Sequence, residues 1–277
     1  MNAPNDRQNQ QLRLLSFNIQ SGVPGNSYRD YLRNSWRQVL PSAVRIENLH
    51  AIGGLVRDFD LVALQEADAG SLRSGYLNQT RYLADQARLP YWVHQANRKV
   101  GAMAHSGNGF LARYEPSSAE EHRLPGAIPG RGALILRYGS PEQGLTIAVV
   151  HLALGQLARR AQLKYLREQL APARHLVVMG DFNCEASSRK LSLFQAALGL
   201  TAPTEGLASY PSWKPQRALD HILISGTLTA QDAETVDVGF SDHLPVALTV
   251  TLPRGLRLAR AGQKSKGPTA GQPLSDS

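Results

Sequence analysis

A chain of 277 residues with 30 Lys and Arg against 22 Asp and Glu carries a formal net charge of +8, and 42% of its residues are apolar. That mixture excludes a wholly disordered chain. The single cysteine, Cys184, excludes a disulfide framework within the chain, and no apolar run approaches the roughly 18 to 20 residues a membrane-spanning helix needs.

In chain order, a polar segment at 1–11 has no hydrophobic stretch and does not read as a secretory signal, so the expectation is a soluble, cytoplasmic protein. The run 12–18 (LRLLSFN) predicts a strand. The segment 20–41 interleaves Tyr28, Arg29, Tyr31, Arg33, Trp36 and Arg37, which reads as a packed surface helix before it reads as a base-stacking loop. A helix follows at 44–59, with Ile46, Leu49, Ile52, Gly53 and Val56 on one stripe, then a strand at 61–65 and a helix at 72–87. Strands are expected at 91–95, 109–113, 133–138 and 145–151, and a helix at 156–170, whose Arg159, Arg160, Lys164 and Arg167 read as a solvated face opposite Leu163, Leu166 and Leu170. After a strand at 175–180 comes a helix at 189–198, with Ser187 and Ser188 as N-cap candidates. Strands at 221–225 and 246–252 close a single domain at 12–252. Residues 253–277 carry Arg254, Arg257, Arg260, Lys264 and Lys266 against Asp276 alone, half of the net charge, and read as a disordered basic tail. Several strand runs are almost continuously apolar, as expected for sheets covered on both faces. So many strands mixed with helices point to two packed sheets with helices outside.

The chemically active side chains gather at strand ends. Asn18 closes the first strand, Glu66 follows the second, His151 ends LTIAVVH, Asp181 and Asn183 end VVMGDFN, Asp220 opens DHILIS, and Asp242 and His243 precede the last strand. A carboxylate or imidazole abutting a buried run is costly to desolvate unless it is paired or binds metal. Glu66 and Asp242, with the amide oxygen of Asn18, are hard oxygen donors that suit Mg2+, or Mn2+, better than a structural zinc. Two histidines beside such a set suggest metal-assisted hydrolysis of a phosphate ester. Arg217, three residues before Asp220, is a candidate phosphate ligand or an ion pair bracing its loop. Singly, His151 reads as a partly buried histidine and Asn18 as a turn residue; only the set raises them. Cys184 reads as small apolar filler.

The ordered set FN at 17–18, QE at 65–66, GN at 107–108, His151, GDFN at 180–183, LDHI at 219–222 and SDH at 241–243 resembles the endonuclease/exonuclease/phosphatase superfamily. The resemblance implies an α/β fold of DNase I type, a four-layer sandwich of two mixed or antiparallel sheets flanked by helices. It implies metal binding at Glu66, with Asn18 and Asp242 completing or adjoining the site. Asp181 would align the attacking water, and Asn183 would contact the phosphate. His243, held by Asp220, would act as base or phosphate stabiliser, with His151 opposite it, and Asn108 would join Arg217 as a substrate-binding residue. The implied activity is that of a divalent-metal phosphodiesterase or phosphatase acting on a lipid headgroup, a small phosphoester or nucleic acid. Gln20 in NIQSG, His151 in VVHLALG and the approach PSWKPQRALDH depart from the DNA-repair branch. A DNase-like endonuclease and a non-catalytic phospholipid or nucleic-acid binding module are the alternatives.

Overall fold

The computed structural model describes residues 9–23, 43–100, 104–126 and 130–260. The aromatic and arginine-rich segment singled out above falls mostly in 24–42, and most of the basic tail in 261–277; both lie outside the described residues.

Among the described residues, twelve strands build two six-stranded sheets. The first runs β11(Thr229–Thr235), β12(Val246–Thr251), β1(Gln11–Asn18), β2(Leu61–Asp68), β4(Ala104–Ala112), β3(Tyr91–Val100). The second runs β5(Ser118–Arg123), β6(Gly132–Tyr138), β7(Leu145–His151), β8(His175–Asp181), β10(Asp220–Ser225), β9(Leu200–Thr201). Each sheet has a parallel pair at its middle, β1 with β2 and β7 with β8, and antiparallel neighbours elsewhere. A parallel pair requires a crossover, and helices supply it: α1(Ala43–Val56) lies between β1 and β2, and α3(Gln156–Leu170) between β7 and β8. The remaining helices among the described residues are α2(Gln79–Ala87) and α4(Arg189–Leu198).

Alternation along the strands divides the core into layers. Leu12, Leu14, Leu61, Ala63, Phe110, Leu134, Ile147, Val177, Ile222 and Leu248 meet between the sheets. Phe17, Val62 and Leu64 turn outward against Leu49, Ile52 and Leu83 of α1 and α2, and Val150, Val178 and Leu223 against Leu163, Leu166 and Phe194 of α3 and α4. The result is the four-layer α/β sandwich. No described helix is long and apolar enough to cross a membrane.

Several expectations needed revision. The helix expected at 72–87 is a short 3-10 turn at Leu72–Ser74 followed by α2, because Gly75 adopts a left-handed conformation that ends the first piece and Asn78 caps the second by accepting from Arg81 N at 3.1 Å. Strands β5 and β11 were not predicted: both are polar and mostly exposed edge strands without an apolar run. Ile46 is exposed and does not share the buried stripe of α1, because Arg45 and Asn48 turn inward instead; Asn48 donates to Gly22 O and Phe240 O. Ser188 occupies the N-cap of α4 without making a side-chain cap bond. Packed chain continues past Leu252, since Leu258 is buried in the inter-sheet core and its N–H donates to Gln10 Oε1.

Candidate active site

The two βαβ units deliver their strand C-termini to the same edge of the sandwich, the end at which parallel strands expose polar groups to a ligand. In the first sheet Asn18 pairs in register with Gln65, and in the second His151 pairs with Asp181. Antiparallel β10 brings Asp220 opposite Asp181, and the turn before β12 adds Asp242 and His243.

Glu66 stands on a bulge. The β2–β4 register slips between Leu64 and Ala67, so Gln65 and Glu66 together face Asn108, and Glu66 has φ 57°. A left-handed backbone at a non-glycine residue inside a strand is strained and is found at sites that need a side chain re-aimed. Here it turns the carboxylate to a half-exposed position 3.8 Å from His151 Nε2, and Ser21 Oγ fixes the bulge by donating to Glu66 O at 2.9 Å.

Around Asp181 the backbone is equally constrained. Gly180 has φ 147°, and a Cβ there would lie 1.9 Å from Val150 O, so only glycine fits before the aspartate. Asn183, at φ 54°, donates its N–H to Asp181 Oδ1 at 2.9 Å. Asp181 Oδ2 accepts from Asn18 Nδ2 at 3.3 Å and lies 3.5 Å from His151 Nε2. Asp181 is thus the hub between the sheets. Burial, reinforced by Asp220 and Glu66 against the pull of His243, pushes its carboxyl up to about 7.

The two histidines are held in opposite states. His243 is buried, which disfavours its charge, but Asp220, Asp181 and Asp242 outweigh that and raise it to about 10. Its Nδ1–H donates to Asp220 Oδ2 at 2.7 Å, and the same oxygen accepts from Ser209 Oγ at 2.6 Å. Nε2 is therefore the ring nitrogen left for a substrate. His151 is held well below its usual value by burial, then by the positive charges of Arg131 and His243. Arg131 Nη1 lies 3.2 Å from His151 Nδ1. A guanidinium can only donate, so Nδ1 is the acceptor and the proton of the neutral ring sits on Nε2, toward Asp181 and Glu66.

The donor chemistry fits a hard cation. Burial raises Asp242, and Glu66 raises it further, as Glu66 also does Asp181, so carboxylates converge where a positive charge would relieve them. Asn18 Oδ1 accepts from Gln20 N at 3.2 Å and keeps a second lone pair. Asp181, Asp220 and His243 also lie close enough, with ligand atoms within 4.8 Å of one another, to hold a metal ion. In that cluster Asp220 Oδ2 and the His243 Nδ1 are already bonded to each other.

Asn18, Glu66, His151, Asp181, Asn183, Asp220, Asp242 and His243 are therefore brought to one edge. Two candidates are placed otherwise. Asn108 is fully buried, donating Nδ2 to Gly132 O at 2.9 Å across the two sheets, so it clasps the sandwich beneath the site and has no surface for substrate. Arg217 has an exposed side chain, and its backbone pairs with Tyr210; among the described residues its guanidinium makes no hydrogen bond to the site. The amide of Asn183 is already engaged, Nδ2 donating to Leu152 O at 2.9 Å. Sequence reasoning missed Arg131 and Ser209. Arg131 stands just before the strand Gly132–Tyr138, so the strand-end rule applied to cations as well as acids finds it. Ser209 sits in a loop with no pattern to mark it.

Solved structures share this architecture. An endonuclease/exonuclease/phosphatase from Beutenbergia cavernae DSM 12333 superposes with TM-score 0.69 at 18% identity, covering 89% of this chain and 72% of that one. The mannosyl-6-phosphatase Bt3783 of Bacteroides thetaiotaomicron VPI-5482 does so with TM-score 0.64 at 15% identity, covering 87% and 100%. ANGEL2, a 2',3'-cyclic phosphatase bound to adenosine-2',3'-vanadate, gives TM-score 0.64 at 15% identity, covering 88% and 96%. No curated protein matches the sequence. Residues 15–243 match the Endonuclease/Exonuclease/phosphatase family, and the chain belongs to that family.

Proposed function

We propose that the chain is a divalent-metal-dependent hydrolase of phosphate esters that activates water for in-line attack on phosphorus. The observation that carries this reading is the position of Asp181, bonded to Asn18 of one sheet, 3.5 Å from His151 and within the field of both Glu66 and His243. Glu66 and Asp242, with the amide oxygen of Asn18 beside them, would hold Mg2+ or Mn2+, whose chemistry when bound is neutralisation of charge on a phosphoryl oxygen.

The protein groups supply the rest. Asp181, an acceptor fixed by two hydrogen bonds, orients the water and takes its proton. His243, with Nδ1 committed to Asp220, presents Nε2–H to the phosphoryl or leaving-group oxygen. His151, with its proton on Nε2, donates from the other side of Asp181. The mannosyl-6-phosphatase and the cyclic phosphatase among the structural neighbours support small phosphoesters as the first substrates to try.

The test is a panel of bis-p-nitrophenyl phosphate, p-nitrophenyl phosphate, hexose phosphates and supercoiled plasmid. It is run with EDTA and then with Mg2+ or Mn2+ restored, on the parent and on Glu66→Ala, Asp181→Ala and His243→Ala. Metal-restored turnover that disappears in the folded variants is expected; undiminished turnover in Asp181→Ala removes the mechanism. Nicking of plasmid without turnover of the small esters would select the endonuclease reading.

A further inference from the structure

The outer face of the second sheet carries a feature that catalysis does not use. Arg160, Leu163, Lys164 and Arg167 of α3 and Lys190, Leu193 and Phe194 of α4 line an open groove of about 160 Å³. Its walls hold four cations and no carboxylate, over an apolar floor. The expectation of a uniformly solvated basic helix face fails at Arg159, which is buried and donates to Ala153 O and Leu154 O at 2.8 and 2.9 Å. With Arg159 turned inward, Arg160, Lys164 and Arg167, spaced by four and three residues, stand exposed on one side of α3, with Glu168 exposed next to Arg167.

Leucines stand among these cations. Leu193 borders the groove and is 63% exposed; Leu157, one turn before Arg160, is 84% exposed; Leu154, in the loop just before α3, is 75% exposed. Lys190 Nζ donates to Gln156 O at 3.3 Å, joining the start of α4 to the start of α3, so the patch is continuous. Protruding leucines ringed by Lys and Arg are the make-up of a surface that lies in the headgroup layer of a membrane, with apolar tips immersed and cations on lipid phosphates.

We infer that the α3–α4 face docks on bilayers rich in anionic phospholipid. An acidic polypeptide in the groove would satisfy the cations but leave Leu154 and Leu157, which lie outside it, in water; a bilayer engages both. The face adjoins the site, because Leu154 follows His151 by three residues. The loop between them is braced by Arg159, by Gln162 Oε1 accepting from Ala153 N, and by Asn183 Nδ2 on Leu152 O. The inference concerns binding alone and does not depend on the proposed activity.

It is tested by cosedimentation of the full chain with vesicles of phosphatidylcholine, alone or mixed with phosphatidylglycerol. The variants are Arg160→Gln/Lys164→Gln/Arg167→Gln and Leu154→Ser/Leu157→Ser, with Arg81→Gln/Arg88→Gln on the opposite helical layer as the control for cations lost elsewhere on the surface and thermal melts as the folding check. Each cation at an anionic surface is worth about fivefold in partitioning, so the triple variant should lose about 100-fold, the leucine variant at least about tenfold, and the control should bind like the parent. Sedimentation only with phosphatidylglycerol, weakened by raised salt, completes the expected result. Three outcomes overturn the inference: failure of the parent to bind either vesicle, triple-variant binding equal to the parent's, or parental affinity for an acidic peptide or oligonucleotide but not for vesicles.

Discussion

Replacing Glu66 with alanine and, separately, with glycine isolates the backbone strain at the bulge. Both substitutions remove the carboxylate, so both should abolish metal-dependent turnover, and they share whatever relief comes from removing one of the acids that raise Asp181 and Asp242. They differ only at Cβ. At φ 57° a Cβ costs about 1–2 kcal/mol in the left-handed region, while glycine adds about 0.5–1 kcal/mol of unfolded-chain entropy. Glu66→Gly should therefore be more stable than Glu66→Ala by about 0.5–1 kcal/mol, which for a domain of this size is a Tm higher by about 1–4 °C. Thermal and urea melts in EDTA measure the difference without any metal contribution. A Glu66→Ala protein as stable as Glu66→Gly, or more so, refutes the claim that the bulge stores strain to aim this side chain.

Three further outcomes are expected. Asp220→Asn replaces the carboxylate that orients the charged His243 ring with a neutral amide able to present a donor to Nδ1 and select the wrong tautomer, so kcat should fall by about 10³–10⁴ with little change in KM, as for other carboxylate–imidazole pairs; a loss below tenfold would count against the orienting role. Arg131→Met removes the donor at His151 Nδ1, and imidazole ¹⁵N shifts should report a change from a pure Nε2–H tautomer to a mixture; an unchanged tautomer would show that Arg131 does not set it. His94, whose Nδ1 meets Thr80 Oγ1 at 2.8 Å and whose Nε2 is buried without a partner, is lowered by burial to about 4, against a pull upward from Asp68. The unfolded chain binds this proton at about pH 6.5 and the folded one only near 4, so stability is full above 6.5 and falls by about 3 kcal/mol as pH drops through that window. The His94→Gln protein should lack that slope in urea melts.

The legible part of the molecule was the part governed by desolvation. Polar groups at the ends of apolar strands must be paired or functional, and that rule marked Asn18, Glu66, His151, Asp181, Asp220 and His243, which the two βαβ units, β10 and the turn before β12 bring together. The continuous apolar runs likewise revealed the covered sheets. What stayed hidden was settled by tertiary packing. Edge strands β5 and β11 have no buried face to imprint a pattern. Asn108 looks like any polar strand residue until the second sheet brings Gly132 O within its reach. Arg159 belongs by spacing to a basic face, and only the carbonyls of Ala153 and Leu154 explain why it turns inward.

Pairing of β1 with β12 joins the two extremes of the domain, from Gln11 opposite Thr251 to Ser16 opposite Val246. Asn18 is thus made well before Asp242 and His243, and β1 has an open hydrogen-bonding edge until β12 arrives. A nascent or prematurely terminated chain accordingly carries an unfinished sheet prone to self-association and lacks Asp242 and His243 at the site. The gathering of these side chains at one edge is complete only in copies whose synthesis has run to the final strand.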